Sequence, residues 1–132
     1  MIFLIDATFP PKLARHLTGL SEARECEFRY ANDECGEGAR DEVLIKKVRD
    51  QGWFLITLDE ALTRNPAKRR ALMEGGVGTF VFTGSSLARR SFFKIVAFVM
   101  DVAEELLEHA ERTRRPFILG ISDKKKFKVL AP

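Results

Sequence analysis

The sequence predicts a single α/β domain with a mostly parallel central sheet. Short apolar runs typical of strands alternate along the chain with segments of helical periodicity, and carboxylates follow two of the runs. Strands separated by helices pair in parallel through right-handed crossovers. The chain has 132 residues, 45% of them hydrophobic, which suits one globular core. It contains neither an internal repeat nor a linker-like stretch, so we expect one domain over residues 1–132.

The first elements follow from apolar patterning and from proline and glycine. A continuous apolar run at residues 2–5 predicts a strand buried on both faces. A helix is expected over residues 10–19, opened by paired prolines and stopped near a glycine. Alternation at residues 26–30 predicts a second strand. The polar residues 32–40, which include two glycines, predict a loop.

The middle of the chain repeats the strand–helix alternation. Residues 41–50 predict a helix, with Val43, Leu44 and Val48 facing the core. Glycine follows that helix, and residues 53–57 form the next apolar run. This segment therefore supplies the third strand of the sheet.

The remaining elements complete the sheet. An Asn-Pro pair introduces a helix expected over residues 67–73, and residues 79–82 predict a fourth strand. A long helix is expected over residues 88–111, followed by strands at residues 115–121 and 126–130. The apolar face of the long helix is wider than one stripe requires. It comprises Phe92, Phe93, Val96, Val99, Ala103, Leu106 and Leu107. We expect it to be core, with a dimer partner or another protein helix as the alternative occupant.

Three carboxylates are expected at one edge of the sheet. Asp6 directly follows the first strand, and Asp59 follows the third. Asp41 begins the helix that leads into the third strand, and a crossover helix begins where strands end. Like charges at close range destabilise one another, and a bound Mg²⁺ or Mn²⁺ removes that cost because hard cations take oxygen ligands. Thr8, on the same edge, could hold a metal-bound water.

Other roles for these residues stay open at this point. Asp41 lies where a helix N-cap is expected, and either Asp6 or Asp59 could simply begin a turn. All three on one edge, after such strands, favour a metal site.

The residues resemble a known family. FLID at residues 3–6 followed by FPPKLA at residues 9–14 resembles the opening of compact PIN-like domains related to VapC-type toxins. DE at residues 41–42 and GW through ITLD at residues 52–59 resemble the family's later acidic positions. RNPA at residues 64–67 and the strand near residues 80–82 continue the likeness, whereas the last thirty residues match only in general pattern.

The resemblance implies a PIN-like three-layer α/β/α fold and a Mg²⁺- or Mn²⁺-dependent nuclease, often a ribonuclease. Asp6, Asp41 and Asp59 correspond to the family's acidic ligands and catalytic residues, with support from Thr8 and Glu42. Many relatives are toxins restrained by an antitoxin protein. Ala7 departs from the Glu or Asn common in close relatives. A fourth acidic residue has no clear counterpart; the candidates are Asp33, Glu34, Glu37 and Glu42.

The charge distribution suits a polyanionic partner. Residues 1–60 carry 8 Lys/Arg and 12 Asp/Glu, and residues 61–132 carry 14 and 7. Arg64, Lys68, Arg69 and Arg70 come just after Asp59 and are the expected phosphate contacts on RNA. A solvated helix face explains the same pattern, and ordinary surface charge explains the asymmetry.

Several function classes are expected to be excluded. Met1 leads directly into an apolar strand, so we expect no signal peptide, no membrane span and a cytoplasmic location. Cys26 and Cys35 lack zinc-type spacing, and the two histidines are distant in sequence.

Two alternatives to a nuclease remain. One is a non-catalytic PIN-like module that binds RNA or protein with an incomplete metal site. The other is a receiver-like or phosphatase-type acidic pocket. That pocket needs a lysine beside the carboxylates, and the sequence places none there evidently.

Overall fold

The computed structural model describes residues 1–21 and 25–131, which contain a six-stranded sheet. The strands are β1 (Ile2–Ile5), β2 (Glu27–Tyr30), β3 (Phe54–Thr57), β4 (Gly78–Phe82), β5 (Phe117–Ile121) and β6 (Phe127–Ala131). Their order is β2-β1-β3-β4-β5-β6, with β1 to β5 parallel and β6 antiparallel to β5. The predicted α/β class with a mostly parallel sheet is confirmed.

Helices cover both faces of the sheet. They are α1 (Leu13–Ser21), α2 (Ala31–Cys35), α3 (Asp41–Gln51), α4 (Glu60–Arg64), α5 (Pro66–Glu74), α6 (Ser85–Ala88) and α7 (Phe92–Arg112). Apolar residues of α1 and α7 pack in one core cluster, and those of α3, α4 and α5 pack in a second cluster on the other face. This is the three-layer α/β/α arrangement expected from the resemblance. In the described part of the chain, none of these helices is both long and apolar enough to cross a membrane.

A row of phenylalanines forms the core beneath α1 and α7. Phe3 stacks on Phe28 and on Phe54, with ring centroids 4.8 and 4.9 Å apart. Phe80 meets Phe117 edge-on at 5.3 Å. Each of the five parallel strands contributes one ring to this row. Side chains of a strand alternate between the two faces of the sheet, so the five rings lie on the same face. The aromatic row fixes the register of the strands and thereby the positions of the residues that follow them.

The opposite face is aliphatic, and α3 lies against it. Leu44, Ile45 and Val48 of that helix are buried in the second cluster. Gly52 ends the helix in a left-handed conformation with φ of 71°, which glycine adopts at little cost. The backbone N–H of Trp53 then donates to the carbonyl of Val48, and the chain turns into β3.

Two predicted helix features were wrong. Val43 is 47% exposed, because consecutive helix residues are about 100° apart and Leu44, Ile45 and Val48 define the buried side. Gly19 does not end α1, which continues to Ser21. Gly19 lacks the positive φ of a C-cap glycine, so it is accommodated within the helix.

Three segments differ from the predicted boundaries. The loop expected at residues 32–40 begins with helix α2, which Gly36 ends with φ of 89°. The helix expected over residues 88–111 is α7, which begins later, at Phe92, where the Ser91 side chain accepts from the Lys94 N–H; the short helix α6 precedes it. Helix α4 was not predicted; it forms because the Asp59 side chain caps it.

Only part of the predicted apolar face of α7 is buried. Val99, Leu106 and Leu107 lie in the core as expected, and Val96 and Ala103 pack against it partly buried. The core also takes Ile95, Phe98 and Val102, whereas Phe92 is 39% and Phe93 81% exposed. These two phenylalanines lie at the first turn of α7, beyond the end of the core. They line a shallow groove against α1, together with Arg15, His16, Gly19, Val96 and Met100.

Candidate functional site

Asp6 lies at the carboxyl end of β1, and donors from the protein hold both of its oxygens. Asp6 is only 7% exposed. Oδ1 accepts from the Thr8 backbone N–H at 2.8 Å, and Oδ2 accepts from the Thr57 hydroxyl at 2.5 Å. The Asp6 N–H donates to the Ile56 carbonyl, so the backbone stays attached to β3. These contacts fix the orientation of the carboxylate.

Thr57 connects Asp6 to Asp59. Its hydroxyl oxygen accepts from the Asp59 N–H at 2.9 Å while the hydroxyl donates to Asp6 Oδ2, and its side chain is fully buried. Asp59 Oδ1 in turn accepts from the Ala61 N–H at 2.9 Å and caps α4. One threonine therefore fixes the relative positions of two predicted site residues. The sequence signal for Thr57 was available: it is the polar residue that ends β3, just before Asp59.

Asp41 opens α3 but does not cap it. The N-cap is Arg40, whose side chain makes no capping hydrogen bond. The Asp41 carboxylate instead accepts from the Lys68 ammonium at 2.7 Å, across the gap between α3 and α5. The two side chains are 30% and 28% exposed. Asp41 is therefore not the N-cap of α3, and its carboxylate pairs with Lys68 instead.

Lys68 lies within electrostatic reach of three carboxylates. The hydrogen bond to Asp41, followed by the charges of Asp41, Glu42 and Asp59, raises the pKa of its ammonium. Asp41 and Asp59 thus act on one and the same cation, although they come from different segments. The sequence did not evidently place a lysine beside the carboxylates, but the structure places Lys68 beside Asp41. Lys68 does not contact the strand-end Asp6, and the residue two after Asp6 is Thr8 rather than the second aspartate of a phosphatase-type Asp-x-Asp motif.

The two predicted supporting residues lie at the same edge. Thr8 is exposed, and its hydroxyl oxygen accepts from the Leu58 N–H at 3.3 Å. It thereby connects the loop after β1 with the loop after β3. Glu42 is exposed on α3 next to Asp41, and its charge acts on Lys68.

Tyr30 lies within electrostatic reach of Asp6 and of two other acidic residues. Burial raises the pKa of its phenol, and the charges of Asp6, Asp33 and Glu37 raise it further. The hydroxyl donates to the Ala7 carbonyl at 3.3 Å. Among the candidates for a fourth acid, Asp33 and Glu37 therefore act on the same group as Asp6. Glu34, in contrast, forms an ion pair with Arg29.

The carboxylate oxygens of Asp6, Asp41 and Asp59 are the type of ligand that a hard divalent cation prefers. Mg²⁺ and Mn²⁺ prefer carboxylate oxygens, and the Asp6 carboxylate has about four lone-pair positions, of which protein donors use two. Within residues 1–21 and 25–131, however, no three His, Cys, Asp or Glu side chains are grouped closely enough to hold a metal ion. Asp41 is turned towards Lys68 instead. The three carboxylates therefore suit the ion by chemistry, and holding it would require Asp41 to release the Lys68 ammonium.

The predicted phosphate contacts have different surroundings. Arg64 is exposed and pairs with Glu60 one turn earlier, and Arg70 is exposed on α5. Arg69 donates to the Leu130 carbonyl at 2.5 Å, which attaches α5 to the edge strand β6. Lys68 also faces a cleft of about 310 Å³ between α3 and α5, which Glu42, Ile45, Lys46, Arg49, Ala67 and Ala71 line as well.

The fold and the acidic edge define a class. A parallel sheet flanked by helices, with aspartates from separate segments at its carboxyl edge, is the arrangement expected of the PIN-like group. Residues 1–84 match the family model described as a PIN like domain, and this stretch covers more than half of the chain. The protein therefore belongs to the PIN-like domain family. Searches among curated proteins and among solved structures gave no match.

The matched stretch ends after β4. It includes Asp6, Asp41, Asp59 and Lys68, so every residue discussed at the acidic edge lies within it. Residues 85–132 supply α7, which covers one face of the sheet, and the last two strands.

Proposed function

We propose that this protein is a Mg²⁺- or Mn²⁺-dependent nuclease that hydrolyses phosphodiester bonds in RNA, in the cytoplasm. The observation that carries the proposal is the buried link from Asp6 through Thr57 to Asp59 in a PIN-like fold. A carboxylate fixed in this way is preorganised for a ligand, because its orientation costs nothing further when the ion binds.

Asp6, Asp41 and Asp59 would hold the cation. A bound divalent cation supplies an activated water and offsets charge on the phosphate. The chain's own contribution is to orient Asp6 through Thr57 and Thr8, and to hold Asp59 at the start of α4. A carboxylate at this edge also accepts the proton of the attacking water.

The RNA backbone would lie along α4 and α5. Arg64 is exposed at the end of α4 and Arg70 on α5, and arginine contacts to phosphate contribute affinity that falls with salt. Lys68 points at the acidic edge itself. Arg69 was predicted as a phosphate contact, but its guanidinium is engaged with β6, so we assign it a structural role.

The toxin role implied by the resemblance is part of this proposal. Under it, an antitoxin protein would restrain the enzyme, and the exposed Phe92 and Phe93 would belong to that interface or to a homodimer interface. The two rings line one groove with Val96 and Met100, and contiguous exposed apolar patches are typical of interaction surfaces.

A non-catalytic module that binds RNA or protein is the second candidate. The observation that favours it is the Asp41–Lys68 ion pair, because an ammonium beside Asp41 neutralises one carboxylate without a metal. In this case RNA would bind and remain intact.

Cleavage of single-stranded RNA with Mn²⁺ or Mg²⁺ separates the two candidates. We expect cleavage by the wild type, loss on adding a chelator, and loss in Asp6→Asn and Asp59→Asn. Both substitutions keep the side-chain shape, and circular dichroism checks that the variants fold. RNA binding without cleavage would establish the second candidate, and cleavage that survives both substitutions would move the reaction to another centre.

A further inference from the structure

Lys68 pairs with Asp41 at the start of α3. Its ammonium is 2.7 Å from Asp41 Oδ2, and it lies within the field of Glu42 and Asp59. A divalent cation ligated by Asp41 needs the same carboxylate and the same neighbourhood. Two cations cannot both be close neighbours of one carboxylate without mutual repulsion.

The anchor of Lys68 does not depend on the ion pair. Its backbone N–H donates to the Asn65 side chain at the start of α5, as does that of Ala67. The α5 backbone therefore stays in place when the long side chain moves. Since the ion pair is partly exposed, its geometry is held only weakly and the side chain can swing into the adjoining cleft.

We propose that Lys68 is an exchangeable internal counter-ion, which neutralises Asp41 until a divalent cation displaces its ammonium. This inference rests on the proposed metal-dependent function. In the metal-free protein Lys68 neutralises the charge of Asp41. On metal binding the ammonium leaves Asp41 and turns towards the cleft between α3 and α5. Lys68 is thus a positioning residue that sets the affinity of the site for metal.

Mn²⁺ affinity of the whole chain, measured by isothermal titration calorimetry, tests the proposal without reference to activity. Lys68→Met removes the competing charge and keeps a long helix-forming side chain. We expect Mn²⁺ to bind roughly two- to fivefold more tightly, the range that corresponds to a partly exposed ion pair. Lys68→Arg keeps the charge, so its affinity should stay close to that of the wild type.

Lys46→Met is the matched control. Lys46 lines the same cleft, but its ammonium pairs with Asp50 on its own helix. The variant loses the same unit of charge without freeing Asp41, so its Mn²⁺ affinity should be nearly unchanged. An equal gain in both methionine variants would reduce the effect to general charge and overturn the proposal.

A second check measures the effect of Lys68→Met on Mn²⁺ affinity in a protein that already carries Asp41→Asn. Without the Asp41 charge, Lys68→Met should no longer raise Mn²⁺ affinity. If the wild type binds Mn²⁺ and Lys68→Met binds it equally well, the counter-ion role fails while the metal site stands. If neither protein binds Mn²⁺, the proposed function itself fails and the counter-ion role with it.

Discussion

Replacing Thr57 by Val tests the buried link between Asp6 and Asp59. Valine has nearly the same shape, so the core around β3 stays filled while the hydroxyl is lost. The variant loses a hydrogen bond to a carboxylate and one from the Asp59 N–H. A hydrogen bond to a charged group contributes about 1.5–3 kcal/mol and a neutral one about 0.5–1.5 kcal/mol.

The free energy of unfolding should therefore fall by about 2–4 kcal/mol in Thr57→Val. For a chain of this length, such a change lowers Tm by roughly 8–16 °C. Urea unfolding of the metal-free protein, followed by the fluorescence of Trp53, gives the free energy directly.

Thr79→Val is the matched control for this measurement. Thr79 is also fully buried, and it lies on β4, next to β3. In the described part of the chain its hydroxyl has no hydrogen-bond partner. Removing an unsatisfied buried hydroxyl should leave stability unchanged or raise it by about 1 kcal/mol.

The contrast between the two threonines decides the outcome. Equal losses in Thr57→Val and Thr79→Val would mean that the link contributes nothing specific and would refute the reasoning. A double-mutant cycle with Asp6→Asn locates the effect, because the cost of Thr57→Val should shrink once the carboxylate charge is gone. Independent, additive losses would contradict the bond between the two side chains.

Three further predictions concern the surroundings of the site and the core. Tyr30 is the single tyrosine, so the phenolate absorbance reports its titration alone. The pKa of Tyr30 should lie above the ordinary 10.0 and should fall in Asp6→Asn. The same Tyr30 pKa in the wild type and in Asp6→Asn would mean that the Asp6 charge does not act on the phenol. Because folding raises this pKa, the Tyr30 contribution to stability is complete at neutral pH and is lost as pH rises above about 10. Gly78→Ala should lower the free energy of unfolding by about 1–3 kcal/mol, measured with urea, because the alanine methyl group would lie 2.6 Å from a ring carbon of Phe54 on the neighbouring strand. An unchanged free energy would mean that the phenylalanine rings shift to make room for the methyl group. Phe93→Ala should change stability by about 0.5 kcal/mol or less, whereas Phe98→Ala on the same helix should cost about 3–5 kcal/mol; similar losses would mean that Phe93 is covered.

Much of the fold could be predicted because its main signals are local and repeated. Apolar runs define the strands, and the strand–helix alternation defines parallel pairing. The short helices were missed for a physical reason. A single turn such as α4 has too few residues for a periodic pattern, and it depends on one cap, the Asp59 side chain.

For the candidate site, the sequence predicts where the acidic residues lie along the backbone but not which side chains contact one another. The positions of Asp6 and Asp59 follow from the ends of two strands. The contact between Asp41 and Lys68 joins residues 27 apart in sequence, and helical periodicity does not encode which side chain crosses between two helices. Arg69 shows the same limit, since a basic residue near an acidic edge was expected to contact phosphate and instead holds a carbonyl of β6.

The acidic edge combines one rigid carboxylate with one that can change partner. Asp6 is buried, and two protein donors fix its orientation. Asp41 is partly exposed, and a single flexible lysine pairs with it. A site made only of fixed carboxylates would be strongly destabilised in the metal-free state, because nothing would offset the repulsion. Under the proposed counter-ion role, Lys68 would lower that cost at the expense of metal affinity, so stability without metal and affinity for metal should change in opposite directions when Lys68 is altered.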